Sequence, residues 1–452
     1  MGTLMPRIFG GPALAMLWAC GGAPAPVDPE PAPPPHAPVP EAVGPAPVTP
    51  GRHIPVLPPG REPPDTVVSH VDVRIGLQVG AGRTDIGGVG GDGLVVANPA
   101  GQELGRLDDG GWWQVTVEGQ LVGLETAAGA SLLAGDMLVF RPRVPGRFVR
   151  VAGRDYRGEV WVFRDRTGLT IVNRLGIESY LAGVVPLEIG SRRPEELEAV
   201  KAQAIVSRTF AVRNMGRWHT DGFDFRPTVA DQVYGGVGAE QALAWQAVRA
   251  TRGTIITYHR VPIDAFFFST CGGETAEGTE VFRNARRNYL TSVRDVDGSG
   301  RTYCRISPRF RWRETWTGDQ VARTLRRTLP AQTGTNTADL GALENVRVAD
   351  RTGSHRVARL AVEFQQRTVA VDGPAVRRVL LRPDGGILRS SAFTLDVRRE
   401  GGRVTRVVAE GAGAGHGVGM CQWGTIGRAR AGLGHSQILA SYFPGTTLEQ
   451  LP

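Results

Sequence analysis

The stretch "GIESYLAGVVPLEIGSRRPEELEAVKAQAIVSRTFAV", residues 176–212, predicts two helices joined by a short connection. Apolar residues recur at helical spacing in its first half, and Pro186 is expected to end that helix because proline has no backbone N–H to donate. Pro194, followed by two glutamates, is typical of the first turn of a second helix. Glu188 is therefore predicted to lie in the connection, outside regular helix.

Strand patterns lie on both sides of these helices. From about residue 66 to 145, short runs rich in Val, Ile and Leu alternate with Gly-rich turns, and from about 340 to 410 apolar and polar residues alternate. A further helical segment is predicted at about 420–443. The sequence therefore predicts an α+β fold that combines helices and antiparallel strands, with a β-rich N-terminal region.

The first 65 residues are predicted to direct and tether the protein rather than to fold. Residues 1–20 contain Arg7 and then about a dozen apolar residues, too few for a mature membrane-spanning helix, so they resemble a secretion signal. The small residues before Cys20 resemble a bacterial lipoprotein signal, in which this cysteine is lipidated; ordinary signal cleavage is the alternative. Residues 21–65 are rich in Pro and Ala, which is typical of an extended spacer. We expect an exported protein of the cell envelope or periplasm, attached to a membrane through the lipid.

The composition is that of a globular protein with a basic charge. With 452 residues, 41% of them hydrophobic, the chain is long enough for one large or two moderate domains. The formal net charge of +8 indicates an anionic partner. The arginines are spread along the chain without a run of five or more, and export argues against nucleic acid, so we expect an anionic polymer of the cell envelope.

Four cysteines are present, of which Cys20 is assigned to the lipid. Because an exported protein meets oxidising conditions, the remaining three are expected to form one disulfide, with Cys271–Cys304 as the preferred pair. Zinc is the competing interpretation, since two thiolates with His416 or Cys421 would supply ligands. No CxxC or HxxxH spacing supports a metal site, so no cofactor is predicted.

One basic residue differs in kind from all the others. Of 52 lysines and arginines, only Lys201 is lysine. It stands seven residues before Arg208, so both side chains are expected on nearly the same side of the second helix. A surface ion pair with Glu198 is the alternative, but arginine would serve there equally well. A site that needs a compact ammonium would not accept arginine, which favours a functional role for Lys201.

Several motifs together resemble the stage II sporulation protein D family, whose relatives include amidase enhancer proteins. Besides the opening stretch, they are "DQVYGG", "FFFSTCGGETA" and "GAGAGHGVGMCQWG". The resemblance covers about residues 146–452, which it identifies as the catalytic domain. It implies an enzyme similar to lytic transglycosylases, which cut the glycan strands of peptidoglycan after the stem peptides have been removed, and a glycan-binding cleft in the α+β fold.

The family's motifs assign roles to individual residues. Its catalytic glutamate corresponds to Glu188. The basic residues, the QVY element, the segment after "FFF" and the Gly-rich loop are expected to bind substrate through Lys201, Arg208, Gln232, Tyr234, Ser269, His416 and Gln422. For His416, a core histidine with both nitrogens bonded is the alternative. Some members hold a metal with Cys and His near the QVY element, but "RPTVADQVYGG" has neither, so that site is not carried over.

The expected chemistry needs only one carboxyl group. A glycosidase that delivers water normally uses two carboxylates, whereas in a lytic transglycosylase the sugar's own C6 hydroxyl attacks and leaves a 1,6-anhydro end. Glu188 would protonate the leaving oxygen and then accept the hydroxyl proton, which requires burial to raise its pKa. Lys201 and Arg208 are expected to bind the lactyl carboxylate of stripped muramic acid. A non-catalytic, peptidoglycan-binding activator of a cell-wall amidase and a purely structural lipoprotein are the alternatives.

Overall fold

The computed structural model describes residues 71–90, 93–126 and 131–451. Cys20, the predicted signal segment 1–20 and the predicted spacer 21–65 lie outside the described residues. No helix in the described part of the chain is both long and apolar enough to cross a membrane.

The described chain up to Gly176 consists of strands, as its alternating apolar pattern predicts. These strands are β1 Asp72–Ala81, β2 Arg83–Val89, β3 Leu94–Ala97, β4 Glu103–Leu107, β5 Trp113–Glu118, β6 Leu121–Thr126, β7 Ser131–Gly135, β8 Met137–Pro142, β9 Phe148–Val151, β10 Arg154–Tyr156, β11 Glu159–Arg164 and β12 Leu169–Gly176. They form two six-stranded sheets, in the orders β1-β12-β11-β8-β3-β4 and β10-β9-β2-β5-β6-β7. All pairings in both sheets are antiparallel.

Both sheets contain strands from either side of the predicted boundary at residues 145/146. In the first sheet β11 pairs with β8, and in the second sheet β9 pairs with β2. Strand β1 is also tied to a later segment, because Arg74 forms an ion pair of 2.8 Å with Asp224 and the N–H of Gly76 donates to the Phe225 carbonyl. The β-rich region and the first part of the predicted catalytic domain therefore share their hydrogen-bonded framework.

Two helices follow directly, α1 Ile177–Ile189 and α2 Leu197–Asn214, and a 3₁₀ turn at Pro194–Glu196 precedes the second. The prediction that Pro186 ends the first helix is wrong, because α1 continues through it to Ile189. The missing N–H removes one hydrogen bond near the end of the helix, while the last turn gains burial of Val185 and Ile189. Glu188 therefore lies in helix α1, not in the connection.

The remaining elements alternate short helices with small sheets. The helices are α3 Ala242–Ala250, α4 Gly278–Val281, α5 Gly318–Thr333, α6 Val376–Val379, α7 Gln422–Arg430 and α8 His435–Tyr442. The strands are β13 Thr254–Tyr258, β14 Val261–Pro262, β15 Phe267–Phe268, β16 Arg311–Thr317, β17 Leu343–Arg351, β18 Val357–Phe364, β19 Thr368–Asp372, β20 Phe393–Glu400, β21 Arg403–Ala412, β22 Met420–Cys421 and β23 Thr447–Gln450. The sheet orders are β14-β13-β23, β15-β22, β16-β21-β20 and β17-β18-β19, and the β15-β22 pair is parallel.

The apolar side chains form two large clusters. One joins the two six-stranded sheets to α1, α2, α7 and α8, and the other packs α5 against the sheets formed by β16–β21. Helix α2 is buried on most of its surface, including polar positions such as Gln203 and Ser207. The α+β prediction is confirmed, with β17–β21 in the predicted strand region and α7 and α8 in the predicted C-terminal helical segment.

Candidate active site

Glu188 lies in the last turn of α1, with only 6% of its surface exposed. The backbone N–H of Val233 donates a hydrogen bond of 3.2 Å to its Oε1 atom. Burial raises the pKa of Glu188 to about 7, because the charged form loses its hydration, and the Val233 hydrogen bond offsets part of that increase. The carboxyl group is therefore balanced between its acid and base forms near neutral pH.

The segment "DQVYGG", residues 231–236, lies along α1 and is anchored by Asp231. The Asp231 carboxylate accepts hydrogen bonds from Arg217 at 2.9 Å, from the Trp218 indole at 2.7 Å and from the Arg226 N–H at 2.8 Å. Its side chain has no exposed surface. This anchor fixes the backbone so that the next but one residue, Val233, presents its N–H to Glu188.

Gln232 and Tyr234 are placed on either side of that backbone contact. The Tyr180 hydroxyl, on α1, donates to Gln232 Oε1 at 3.3 Å, while Gln232 Nε2 is buried without a hydrogen-bond partner among the described residues. Tyr234 donates its hydroxyl to Asn173 at 2.9 Å, and its ring packs on Tyr180 at 5.3 Å between centroids. Gln232 thus has a free donor beside the Glu188 segment, whereas the Tyr234 hydroxyl joins the 231–236 segment to β12.

Gln422, the first residue of α7, is brought to Glu188, but to its backbone. Its Nε2 group donates to the Glu188 carbonyl oxygen at 2.9 Å and lies 3.3 Å from Gln203 Oε1 on α2. Because the last carbonyls of a helix lack partners within it, this bond caps α1 at the candidate catalytic residue. Gln422 therefore positions Glu188, and its amide nitrogen is not free to bind a sugar.

Arg208 does not occupy the predicted substrate-binding position. Its side chain has no exposed surface, and it forms a two-point ion pair with Glu178 on α1 at 3.0 and 2.6 Å. It also donates to the carbonyl oxygens of Thr254 and Val248. The prediction is corrected because the guanidinium is enclosed between α1, α2, α3 and β13, where it holds these elements together.

Lys201 is found in the surface pair that was the alternative to a functional role. Its Nζ atom lies 2.6 Å from Glu198 Oε1, and Glu198 also accepts hydrogen bonds from the N–H of His435 at 2.8 Å and from its ring at 2.6 Å. Burial alone would raise the pKa of Glu198, but the bonds from Lys201 and His435 lower it to about 2. The lysine therefore helps to connect α2 to the start of α8.

His416 is a core histidine with both ring nitrogens bonded. Nε2 donates to the Phe267 carbonyl oxygen at 2.9 Å, and Nδ1 accepts from the Val418 N–H at 3.1 Å. Burial lowers the pKa of His416 to about 3, so the ring is neutral at physiological pH. The predicted substrate contact is thus replaced by a structural role, in which the ring joins the Gly-rich loop to β15.

Ser269 follows β15 and is buried, with 6% of its surface exposed. Its hydroxyl lies 3.3 Å from that of Thr270, which in turn lies 2.7 Å from the hydroxyl of Ser307. Its carbonyl oxygen accepts from the Trp423 N–H at 3.0 Å, which joins this segment to α7. The structure gives Ser269 internal partners in place of the predicted substrate contact.

The predicted Cys271–Cys304 disulfide is not formed in the structure. The two Sγ atoms lie 3.4 Å apart as free thiols, whereas a disulfide bond needs about 2.05 Å. The spacing reflects a shared pocket, because Cys421 and Asp295 are directed at the same point. Three cysteines, not two, are therefore brought together.

The sequence patterns do not single out two residues, one in the first turn of α1 and one just after its end. Tyr180 fits the apolar helical spacing, but its hydroxyl donates to Gln232. Arg192 lies over the Trp423 ring at 5.3 Å, and its buried Nε has no hydrogen-bond partner among the described residues. Among so many arginines, no sequence signal distinguishes Arg192; its position directly after the glutamate motif is the only indication.

A separate pocket of about 810 Å³ lies over the β16-β21-β20 sheet, with Arg351 and His355 also in its lining. Its lining includes Arg311, Trp312 and Glu410 but none of the predicted site residues. Glu410 is exposed and paired with Arg313 at 3.0 Å, so it lacks the burial that suits a carboxyl group to acid catalysis. Glu188 remains the better candidate for the chemical centre.

Comparisons with known proteins match the part of the chain that contains Glu188. The family model for stage II sporulation protein matches residues 165–258, which include α1, α2 and the 231–236 segment, and a model for a domain of unknown function matches residues 300–419.

Stage II sporulation protein D of Bacillus amyloliquefaciens is 30% identical over 302 residues, which cover 63% of this chain and 77% of that protein. The protein of the same name from Bacillus subtilis (strain 168) is 29% identical over 302 residues, covering 63% of this chain and 78% of the relative. The amidase enhancer of Bacillus subtilis (strain 168) is 27% identical over 314 residues, covering 59% of this chain and 40% of the relative. On these grounds the chain belongs to the stage II sporulation protein D family.

Proposed function

We propose that this protein is a peptidoglycan lytic transglycosylase in which Glu188 is the general acid and base. The main support is the environment of that carboxyl group: it is buried, it accepts one backbone hydrogen bond, and its pKa is raised to about 7. A glutamate in this state can give up a proton and take one back within the same reaction at neutral pH.

The reaction follows from a single carboxyl group. Glu188 donates its proton to the glycosidic oxygen as the bond to the anomeric carbon breaks. The C6 hydroxyl of the same muramic acid then attacks that carbon and gives its proton to the Glu188 carboxylate, which leaves a 1,6-anhydro end and restores the acid. Asp231, the acid in the neighbouring segment, is bound by three donors and is not free to activate water, which favours this route over hydrolysis.

Two polar groups support a glycan substrate at this position. The Nε2 group of Gln232 has no partner among the described residues and suits an acetamido or hydroxyl oxygen of the sugar, but Gln232 has no exposed surface, so binding there requires the 231–236 segment to move. Arg192 is the proposed cation for a lactyl carboxylate in place of Lys201 and Arg208: its Nη1 lies 3.9 Å from Glu196, but its Nε has no partner among the described residues. Strands stripped of stem peptides carry that carboxylate and are the proposed substrate.

The test is incubation of the purified protein with intact and with peptide-stripped glycan strands, followed by mass spectrometry of the products. Wild type should release 1,6-anhydro ends from stripped strands. Glu188→Gln keeps the shape of the side chain but cannot donate the proton, so cleavage should fall about 100-fold or more while strand binding is retained. Glu195→Gln is the matched control, because Glu195 is exposed just before α2, and it should leave cleavage unchanged. Equal product yield from wild type and Glu188→Gln would overturn the assignment.

An amidase activator is the second candidate, because one relative is named an amidase enhancer. In that case neither wild type nor Glu188→Gln would release 1,6-anhydro ends, and both would raise the rate of a cell-wall amidase to the same extent. The same preparations therefore distinguish the two functions.

We also propose that the protein works in the cell envelope, held to a membrane by a lipid on Cys20. The proposal rests on the sequence of residues 1–20 and on the net charge of +8, which suits an anionic wall polymer. Mass spectrometry of the mature amino terminus tests it: an unmodified terminus, or one that begins elsewhere than Cys20, would contradict the lipid anchor.

A further inference from the structure

Four buried side chains outside the candidate active site point at one another: Cys271, Asp295, Cys304 and Cys421. We call this group the cysteine–aspartate cluster. Cys271 follows β15, Asp295 and Cys304 lie in the connection between α4 and β16, and Cys421 lies where β22 meets α7. Their three sulfur atoms and one carboxylate oxygen all lie within 4.8 Å of one another.

The spacing of these atoms is close to that around a tetrahedral ion. Zinc–sulfur bonds of about 2.3 Å place two sulfur ligands about 3.8 Å apart. Here the Cys271 and Cys304 sulfurs are 3.4 Å apart, and the Cys271 sulfur is 3.3 Å from Asp295 Oδ2. A small outward movement of each side chain would admit the ion.

The group is held by a second layer of partners. Asp295 Oδ1 accepts hydrogen bonds from the Tyr442 hydroxyl at 2.7 Å and from Arg428 at 3.2 Å, which leaves Oδ2 directed at the cysteines. The N–H groups of Cys271 and Gly424 donate to the Cys421 sulfur at 3.1 and 3.3 Å. Hydrogen bonds of this kind orient metal ligands and stabilise thiolates.

The charges around the cluster also balance in the presence of a divalent ion. Three thiolates and one carboxylate around such an ion leave two negative charges in excess. Two buried arginines meet them: Arg428, bonded to Asp295, and Arg356, whose Nη2 lies 3.5 Å from the Cys271 carbonyl oxygen. Arg356 also donates to the Glu274 carbonyl oxygen at 3.1 Å and lies in the field of Glu280 and Glu274, while its buried Nε has no partner among the described residues, so thiolates at Cys271 and Cys421 would add to the negative charge that this buried guanidinium needs.

We propose that the cysteine–aspartate cluster is a structural zinc site. Three thiolates and tetrahedral spacing favour zinc among the common divalent ions, and four buried protein ligands leave no open position for catalysis. Binding displaces the thiol protons to solvent. The ion ties the connection between α4 and β16 to the start of α7, where Gln422 caps the helix that carries Glu188. The proposal does not depend on the proposed function, because its readouts are metal content and affinity.

The first experiment measures metal and thiol state in the full chain purified without chelator. We expect one zinc per chain by elemental analysis, and, after exchange with Co²⁺ alone, the visible absorption of a tetrahedral site with thiolate-to-metal charge transfer in the near ultraviolet. A Cys271–Cys304 disulfide in non-reducing peptide maps, three free thiols without bound metal, or iron in place of zinc would each overturn the proposal.

Variants then test the ligand and its support. Asp295→Asn should weaken zinc binding at least about 10-fold. Tyr442→Phe removes only the hydroxyl group that donates to Asp295, and it should weaken zinc binding about 10-fold. Asp297→Asn is the matched control, since Asp297 lies two residues away and is bonded to Ser299 and Arg301. Equal zinc affinities in the three variants would contradict the site. If Asp295→Asn does not fold, the zinc affinity of Tyr442→Phe and the zinc content of wild type test the proposal instead.

Discussion

At Glu188, burial and one backbone N–H together set the proton affinity of the carboxyl group. Burial raises its pKa to about 7 in the folded protein, whereas the pKa of glutamate in an unfolded chain is about 4.3. The folded state holds the proton more tightly, so this contribution to stability is complete below about pH 4 and is lost as the pH rises through about 7.

This difference predicts a pH-dependent gap between wild type and Glu188→Gln. Glutamine does not titrate, so the variant does not lose this contribution as the pH rises. The free energy of unfolding of Glu188→Gln should therefore increase by about 3 kcal/mol relative to that of wild type between pH 4 and pH 8. Chemical denaturation of both proteins across that range measures the gap. Stability curves that run parallel would show that the pKa of Glu188 is not raised.

Lys201 illustrates how a residue's partner decides its role. In the pair with Glu198, a guanidinium can replace the ammonium, so Lys201→Arg should keep glycan cleavage and change the free energy of unfolding by less than about 1 kcal/mol. Cleavage assays and thermal denaturation of the same preparation check both parts. A variant that is stable but inactive would restore the substrate-binding role expected from the sequence.

At the scale of elements, the α1–α2 packing depends on Arg208, which is fully buried beside the partly exposed Glu178. Arg208→Ala should lower the free energy of unfolding by about 3 to 5 kcal/mol, because it removes a buried guanidinium together with its bonds to Glu178 and to two backbone carbonyls. Arg213→Ala on the same helix is the matched control: its pair with Asp264 is partly exposed, so the loss should stay below about 1 kcal/mol. Equal losses, measured by denaturant titration, would mean that Arg208 contributes no more than a surface cation.

These elements also indicate what the sequence could predict. Helical periodicity located α1 and α2, and motif resemblance pointed to Glu188 and Gln232, whose roles stay predictions, and to Gln422, whose amide nitrogen is bonded to the Glu188 carbonyl instead of being free for a sugar. The sequence could not show that α1 runs through Pro186, because that depends on what covers its last turn. The sequence also could not show that the parallel β15–β22 pair brings Cys271 close to Cys421, because these cysteines are 150 positions apart and no local spacing predicts their contact.

Sequence patterns predict the burial of individual polar side chains least well. The motifs assign Arg208 and His416 to substrate by residue type, yet both side chains are buried and bonded to backbone carbonyls. A motif specifies which residue type is present at a position, but the surrounding fold decides whether that side chain faces a substrate or the core.

At the scale of the whole molecule, the shared sheets predict that the family-like part does not fold alone. A fragment of residues 146–452 lacks β1 and β8, which flank β12 and β11, and β2, which pairs with β9. It should be insoluble or unfold without a cooperative transition, whereas a fragment of residues 71–452 should unfold cooperatively. Calorimetry and circular dichroism of both fragments test this, and a cooperative transition in the shorter one would place a domain boundary at 145/146 after all.

The bond from Gln422 to the Glu188 carbonyl joins positions 234 residues apart in the chain. During synthesis, Glu188 therefore leaves the ribosome long before the residue that caps its helix has been translated. A chain released early, or clipped ahead of α7, would keep the candidate acid but lose its support. If the proposed activity holds, a chain that stops before α7 should position the Glu188 carboxyl group less firmly than a chain that contains Gln422.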